Sequence, residues 1–203
     1  MRLSQRFRLI ALLERRGMAR LSEIRAEGIS AATVCRLERE GVVSRLGRGL
    51  YRRSDAEFDI HHTLAEAAKR APRGVIALVS ALSFHEITDQ LPHQVWMAIG
   101  RKDWRPTADY PRLRIARFPD ALLRDGVEHH MIEGVSVPIF GAAKTVVDVF
   151  RYRHKIGLDV SLQALKRALR HRKARPAEIA DGAMRAGVWT TMRPYLEALV
   201  ADG

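Results

Sequence analysis

The chain has 203 residues, 47% apolar and 29% charged, a balance that excludes intrinsic disorder and gives length for one large domain or, the expectation here, two small ones. Its net charge of +12 is uneven, because residues 1–53 hold thirteen arginines against five glutamates and so carry +8. One cysteine, Cys35, excludes an intrachain disulfide framework and a cysteine-based zinc site. No run approaches the roughly 18 apolar residues of a membrane span or the apolar core of a signal peptide, so a cytoplasmic protein is expected.

Leu3, Phe7, Ile10 and Leu13 recur at helical spacing and predict a first helix over residues 4–16. Residues 21–26 follow as a short positioning helix, and Gly28-Ile29 as a turn. Ser30 is a good N-cap for a second helix that runs to Glu40 and is stopped by Gly41. On that helix Val34 and Leu37 share an inward face, completed as a small core by Leu21, Ile24 and Ile29 before it, while Ala32, Arg36 and Arg39 share the opposite one. Residues 42–46 and 50–52 flank Gly47-Arg48-Gly49, the glycines allowing a tight hairpin with Arg48 at its tip. Helix, turn, helix and basic hairpin together are the sequence form of a winged helix-turn-helix.

Double-stranded DNA is therefore the first expected partner, since each cation brought to the duplex releases counterions. Thr33, Arg36 and Arg39 are the candidates for base edges, Arg45, Arg48 and Arg52 for wing contacts, and Arg6 with Arg15 or Arg16 for backbone phosphates. Solvated surface positions are the plain alternative for all of them. Cys35, on the flank of the same helix, reads as a small filler rather than a redox sensor.

The charge sign changes over Ser54-Asp55-Ala56-Glu57-Phe58-Asp59, which reads as a linker between a DNA-binding domain at 1–53 and a second domain at 60–203. That domain opens with a helix over 60–70, then an apolar run at 75–91 that fits either a buried strand end or a helix. Residues 95–99, 113–118, 127–132 and 135–138 read as strands of one small, mainly antiparallel sheet. Helices are expected over 142–153, 161–171, 176–186 and 192–200. The class is α+β, a winged helix-turn-helix followed by a mixed domain with a helical C-terminal third.

The order of Gly28-Ile29-Ser30, Leu37-Glu38-Arg39-Glu40-Gly41, Gly47-Arg48-Gly49-Leu50-Tyr51-Arg52, Leu78-Val79-Ser80-Ala81-Leu82, Val95-Trp96-Met97-Ala98-Ile99 and Ala143-Lys144-Thr145-Val146-Val147-Asp148-Val149-Phe150 resembles the AbiEi-type antitoxins over nearly the whole chain. The Ala-Lys-Thr-Val-Val-Asp block is its most discriminating part. The resemblance implies an N-terminal winged helix joined to a C-terminal antitoxin domain. It also implies a place in bacterial type IV toxin–antitoxin and phage-abortive systems, repression of the chain's own operon, and a nucleotidyltransferase-like toxin as counterpart, countered with or without direct contact.

Lys144 and Asp148 stand one turn apart, where they pair with each other as the preferred reading. Lys144 also opens a second basic region with Arg151, Arg153, Lys155, Lys166, Arg167 and Arg170, suited to DNA beyond the wing, to a toxin surface, or to solvent. Trp96 reads as core, and Trp104 and Trp189 as anchors for a partner. Catalytic patterns are weak. His85-Glu86-Ile87-Thr88-Asp89 lacks the second histidine of a zinc helix, and the pairs His61-His62 and His129-His130 diverge as neighbours. Neither an enzyme nor a metal or other cofactor is expected. The rivals are a regulator sensing a small molecule through the 75–91 run, and a nucleic-acid enzyme docked by the winged helix.

Overall fold

The computed structural model describes residues 4–106 and 110–201, which pack as two compact units. The first comprises Met1–Pro72, Ala108–Pro111 and His130–Val137. It begins with α1 (Gln5–Arg16), capped by Ser4, whose Oγ accepts from Phe7 N at 3.3 Å. The helix buries Leu9, Leu12 and Leu13 and leaves Phe7 55% exposed, so the inward face is turned from the Phe7-Ile10-Leu13 seam expected; Leu3 lies outside the described residues.

After α1 come β1 (Met18–Arg20), α2 (Leu21–Ala26), α3 (Ala31–Arg39), β2 (Val43–Gly47) and β3 (Leu50–Arg53). The three strands form an antiparallel sheet in the order β1-β3-β2, with Ala19 opposite Tyr51 and Tyr51 opposite Arg45. Strand β1 was not foreseen, because three residues are too few to show a period of two. Ile24, Ile29, Val34, Leu37 and Val43 meet the α1 leucines in one apolar core.

This unit continues past residue 53. The guanidinium of Arg52 lies 3.8 Å over the ring of Phe58, which stands edge-on to His62 with centroids 4.6 Å apart. Residues 54–59 are mostly exposed, Phe58 by 68%, yet stay in contact with this unit, and α4 (His62–Arg70), with Leu64, Ala65, Glu66 and Ala67 buried, belongs to the same unit.

The second unit holds β4 (Val75–Ile76), α5 (Leu78–Phe84), β5 (Val95–Gly100), β6 (Leu113–Phe118), α6 (Asp120–Arg124) and the bases of β7 (Val127–Ile132) and β8 (Val135–Phe140). The 75–91 run thus contains a strand end and a helix in succession. The α+β class holds, but the sheet has five strands in the order β6-β5-β4-β8-β7 and mixed directions. Strand β5 runs parallel to β6 and antiparallel to β4, and β4 runs parallel to β8 through Ile76 and Ile139. The long connection at 101–112 gives the chain enough length to return and enter β6 in the same direction.

Helices α7 (Ala142–Arg151), α8 (Arg153–Ile156), α9 (Leu158–Arg170), α10 (Pro176–Arg185) and α11 (Trp189–Ala201) complete it. Helix α7 is central, touching α5, α9 and α10, and buries everything from Lys144 to Phe150. No helix among the described residues is long and apolar enough to cross a membrane.

Candidate nucleic-acid interface

The N-terminus of α3 is held by a network. Ser30 is extended (φ −72°, ψ 146°), and its Oγ accepts from Thr33 N at 3.2 Å. Gln5, at the start of α1, turns its Oε1 onto the same point and accepts from Ser30 N at 3.0 Å, Ser30 Oγ at 3.1 Å and Thr33 Oγ1 at 2.7 Å. Arg8, one turn along α1, donates to the carbonyls of Glu27 and Gly28 at 3.2 and 2.9 Å, pinning the turn before α3. Sequence reasoning named neither Gln5 nor Arg8, since both contacts join residues about twenty or more positions apart and no spacing rule reports them.

The outward face of α3 presents Ala31, Ala32, Cys35, Arg36 and Arg39, all exposed, with no bulky side chain over its first turn. Arg36 lies 3.7 Å from Glu40, an exposed pair that a phosphate or base can displace at small cost. Arg39 makes a local contact, Nε donating to the Cys35 carbonyl at 3.4 Å. Thr33 differs from the arginines: it is half-buried and its hydroxyl is already given to Gln5, so it supports the helix end.

In the wing, Arg45 and Arg48 are exposed. Arg45 Nε donates to the Gly47 carbonyl at 3.1 Å, while Arg48 has no polar partner among the described residues. Arg52 must be withdrawn as a wing contact. It is 2% exposed, and its guanidinium donates to the carbonyls of Arg53, Ala56 and Glu57 while stacked on Phe58. An arginine used in this way closes the turn after β3 and cannot reach phosphate. The aromatic in an otherwise polar stretch, Phe58, was the available signal. Of the phosphate candidates, Arg6 pairs with Glu40 at 2.6 Å, Arg16 lies 3.6 Å from Glu27, and Arg15 is exposed.

The second basic region is not one surface. Lys144 is 7% exposed and bonds Asp148, which is fully buried, so it is withdrawn as a surface cation. Its ammonium also faces the rings of Phe140 at 4.7 Å and Phe118 at 5.2 Å. Arg151 and Arg153 are half-buried, Arg153 Nη1 donating to the Phe150 carbonyl at 3.1 Å, and exposed Lys155 lies 5.8 Å over Tyr152. Lys166, Arg167 and Arg170 line a separate groove of about 940 Å³ between α9 and α11, floored by Leu162, Tyr195 and Leu199. Arg167 there pairs with Asp89. Trp96 is core, Trp104 is 91% exposed, and Trp189 packs against the core.

The histidine motif at 85–89 is not on a helix. His85 ends α5 with its Nε2 2.8 Å from the Phe140 carbonyl, and Glu86 (φ 57°) bonds Lys173 at 2.8 Å. No group of three or more His, Cys, Asp or Glu among the described residues is placed to hold a metal ion.

The apolar seam, cap and wing of residues 8–54 match the model of a family of transcriptional regulators, the AbiEi antitoxins. The match spans 47 of the 203 residues, so the likeness to the AbiEi antitoxin regulators is confined to the N-terminal segment. Over most of its length the chain also shares a fold with the RV2827C protein from Mycobacterium tuberculosis, known from its crystal structure. The likeness has a TM-score of 0.58 at 15% identity and covers 98% of this chain and 82% of that one. No curated protein matches the chain. The AbiEi match thus covers the surface that carries Arg36, Arg39, Arg45 and Arg48, and it stops short of α4.

Proposed function

We propose that the chain is an antitoxin that binds operator DNA through α3 and the wing, represses its own operon and counters a nucleotidyltransferase-like toxin. The observation that carries this reading is the exposed Ala31-Ala32-Arg36-Arg39 face of α3, held by Gln5 and Ser30 beside a wing with an unpartnered Arg48. Small residues at a helix N-terminus let it enter a major groove, where arginine forks to guanine. The AbiEi match over residues 8–54 supports the regulator half, and the toxin half extends the same family reading.

On a duplex selected by the full chain from a random pool, Arg36→Ala is expected to cost about 1–3 kcal/mol and relax preference at one position. Arg48→Ala is expected to weaken all duplexes alike and reduce the salt slope by about one counterion. Unchanged affinity for Arg36→Ala at moderate salt removes α3 as the reader. Co-expression of the full chain with the product of the adjacent gene is expected to restore growth, and persistent toxicity ends the antitoxin half. Catalysis plays no part in this proposal.

A cleft of about 560 Å³ favours one second reading, a small-molecule sensor. It is bordered by Val79, Leu91 and Trp96, with Arg114 4.1 Å over the Trp96 ring. A ligand bound there would change operator affinity, which a repressor without a sensor site would not show.

A further inference from the structure

Four charged or titratable side chains run in line through the first unit to the wing. Glu133, at the tip of the β7–β8 hairpin, accepts through Oε1 from Asp59 N at 2.7 Å and meets His62 Nδ1 through Oε2 at 2.7 Å. His62 Nε2 lies 3.8 Å from Glu66 Oε2. Glu66, with its side chain 1% exposed, takes both Nε (3.1 Å) and Nη2 (2.6 Å) of Arg70 on Oε1. Arg70 Nη2 also faces the Leu46 carbonyl at 3.4 Å and packs on Gly47, where a Cβ would lie 2.2 Å away. Glycine at 47 is therefore the space in which an arginine from α4 grips the wing.

The same helix holds the other side of the module. Lys69 Nζ bonds Glu23 of α2 at 3.0 and 3.2 Å, and Arg20 donates to the Lys69 carbonyl. Stability is weak ground for this many partly buried charges, because apolar side chains of similar volume often hold such a helix as well. A directional chain of charges instead sets one position for what it grips.

We propose that Glu133, His62, Glu66 and Arg70 form a positioning relay that sets the place of the wing on DNA, so that the hairpin tip at residue 133 controls operator affinity. This rests on the DNA-binding reading above. None of the four residues touches DNA; each acts through Leu46 and Gly47 on the Arg48 tip.

The test is a mutant cycle with Arg48→Ala on the duplex selected by the full chain. Arg70 and Glu66 are replaced together, Glu66→Leu with Arg70→Met, so that no buried charge is stranded. The paired variant is expected to lose about tenfold in affinity and to lose nothing further in the Arg48→Ala background, because the contact it misplaces is already gone. Glu133→Ala is expected to show the same dependence on Arg48, and is the decisive variant if the paired one does not melt cooperatively. Equal losses with and without Arg48, or no loss at all, overturn the relay. Loss from the paired variant but none from Glu133→Ala overturns control by the hairpin. A wild-type chain that selects no duplex overturns the DNA-binding reading itself, and the relay with it.

Discussion

Lys144→Ala is expected to lower the unfolding free energy of the second unit by about 3–5 kcal/mol, as removing one member of a buried ion pair does. Asp148 would be left fully buried, with no ammonium, on a helix enclosed by α5, α9 and α10. Burial already outweighs the pair's attraction, since it pushes Asp148 up to about 6 and Lys144 down from the usual lysine range. A carboxyl whose folded-state value is raised binds its proton more tightly in the folded chain. Its ionisation therefore destabilises the fold above about pH 6, and that penalty is relieved as pH falls from about 6 towards the ordinary aspartate value of 3.8. Wild type is expected to gain stability relative to Asp148→Asn over that window, read by thermal unfolding of both at several pH values. Parallel profiles would show that Asp148 does not titrate there.

The Lys144–Asp148 pair was legible in sequence because i,i+4 spacing on a helix is a local property. Its burial was not, since that depends on three helices that pack around it from elsewhere in the chain. The same distinction separates the arginines of the first unit. Arg36 and Arg39 could be placed outward from Val34 and Leu37 on the same helix, whereas the fate of Arg52 was set by a turn and a ring that follow it. The cap of α3 was readable at Ser30, while its second support came from Gln5, on another helix. Sheet directions were the least legible part, because strand patterns give the faces of β5 and β6 but not the direction in which each pairs.

Gly17→Ala is expected to cost the first unit well over the roughly 1 kcal/mol of a positive φ alone. Gly17 has φ +63°, and a Cβ there would lie 1.4 Å from the carbonyl oxygen of Glu133, a backbone atom that no rotamer change can move aside. From the other side, a Cβ on Gly134 would lie 2.9 Å from Gly17 N. Gly41→Ala is the control: its φ is +72° and nothing stands within 4 Å of the added carbon, so it reports backbone strain alone. The expected result is a much larger fall in midpoint for Gly17→Ala than for Gly41→Ala. Equal shifts would mean that residues 133–134 do not press on this turn.

The close approach at Gly17 bears on how such a regulator changes its target. The first unit is assembled from separate stretches of chain, including residues 130–137, so residues 1–53 are not a portable cassette. Exchanging them for another winged helix would leave Glu133 against a foreign turn, Arg70 without Leu46 and Gly47, and Lys69 without Glu23. New operators are reached more readily by point changes at exposed Ala32, Arg36 or Arg39, which no internal contact constrains tightly, than by recombination at the end of the wing. On the DNA-binding reading, point changes on α3 would alter specificity while the rest of the unit stays as it is.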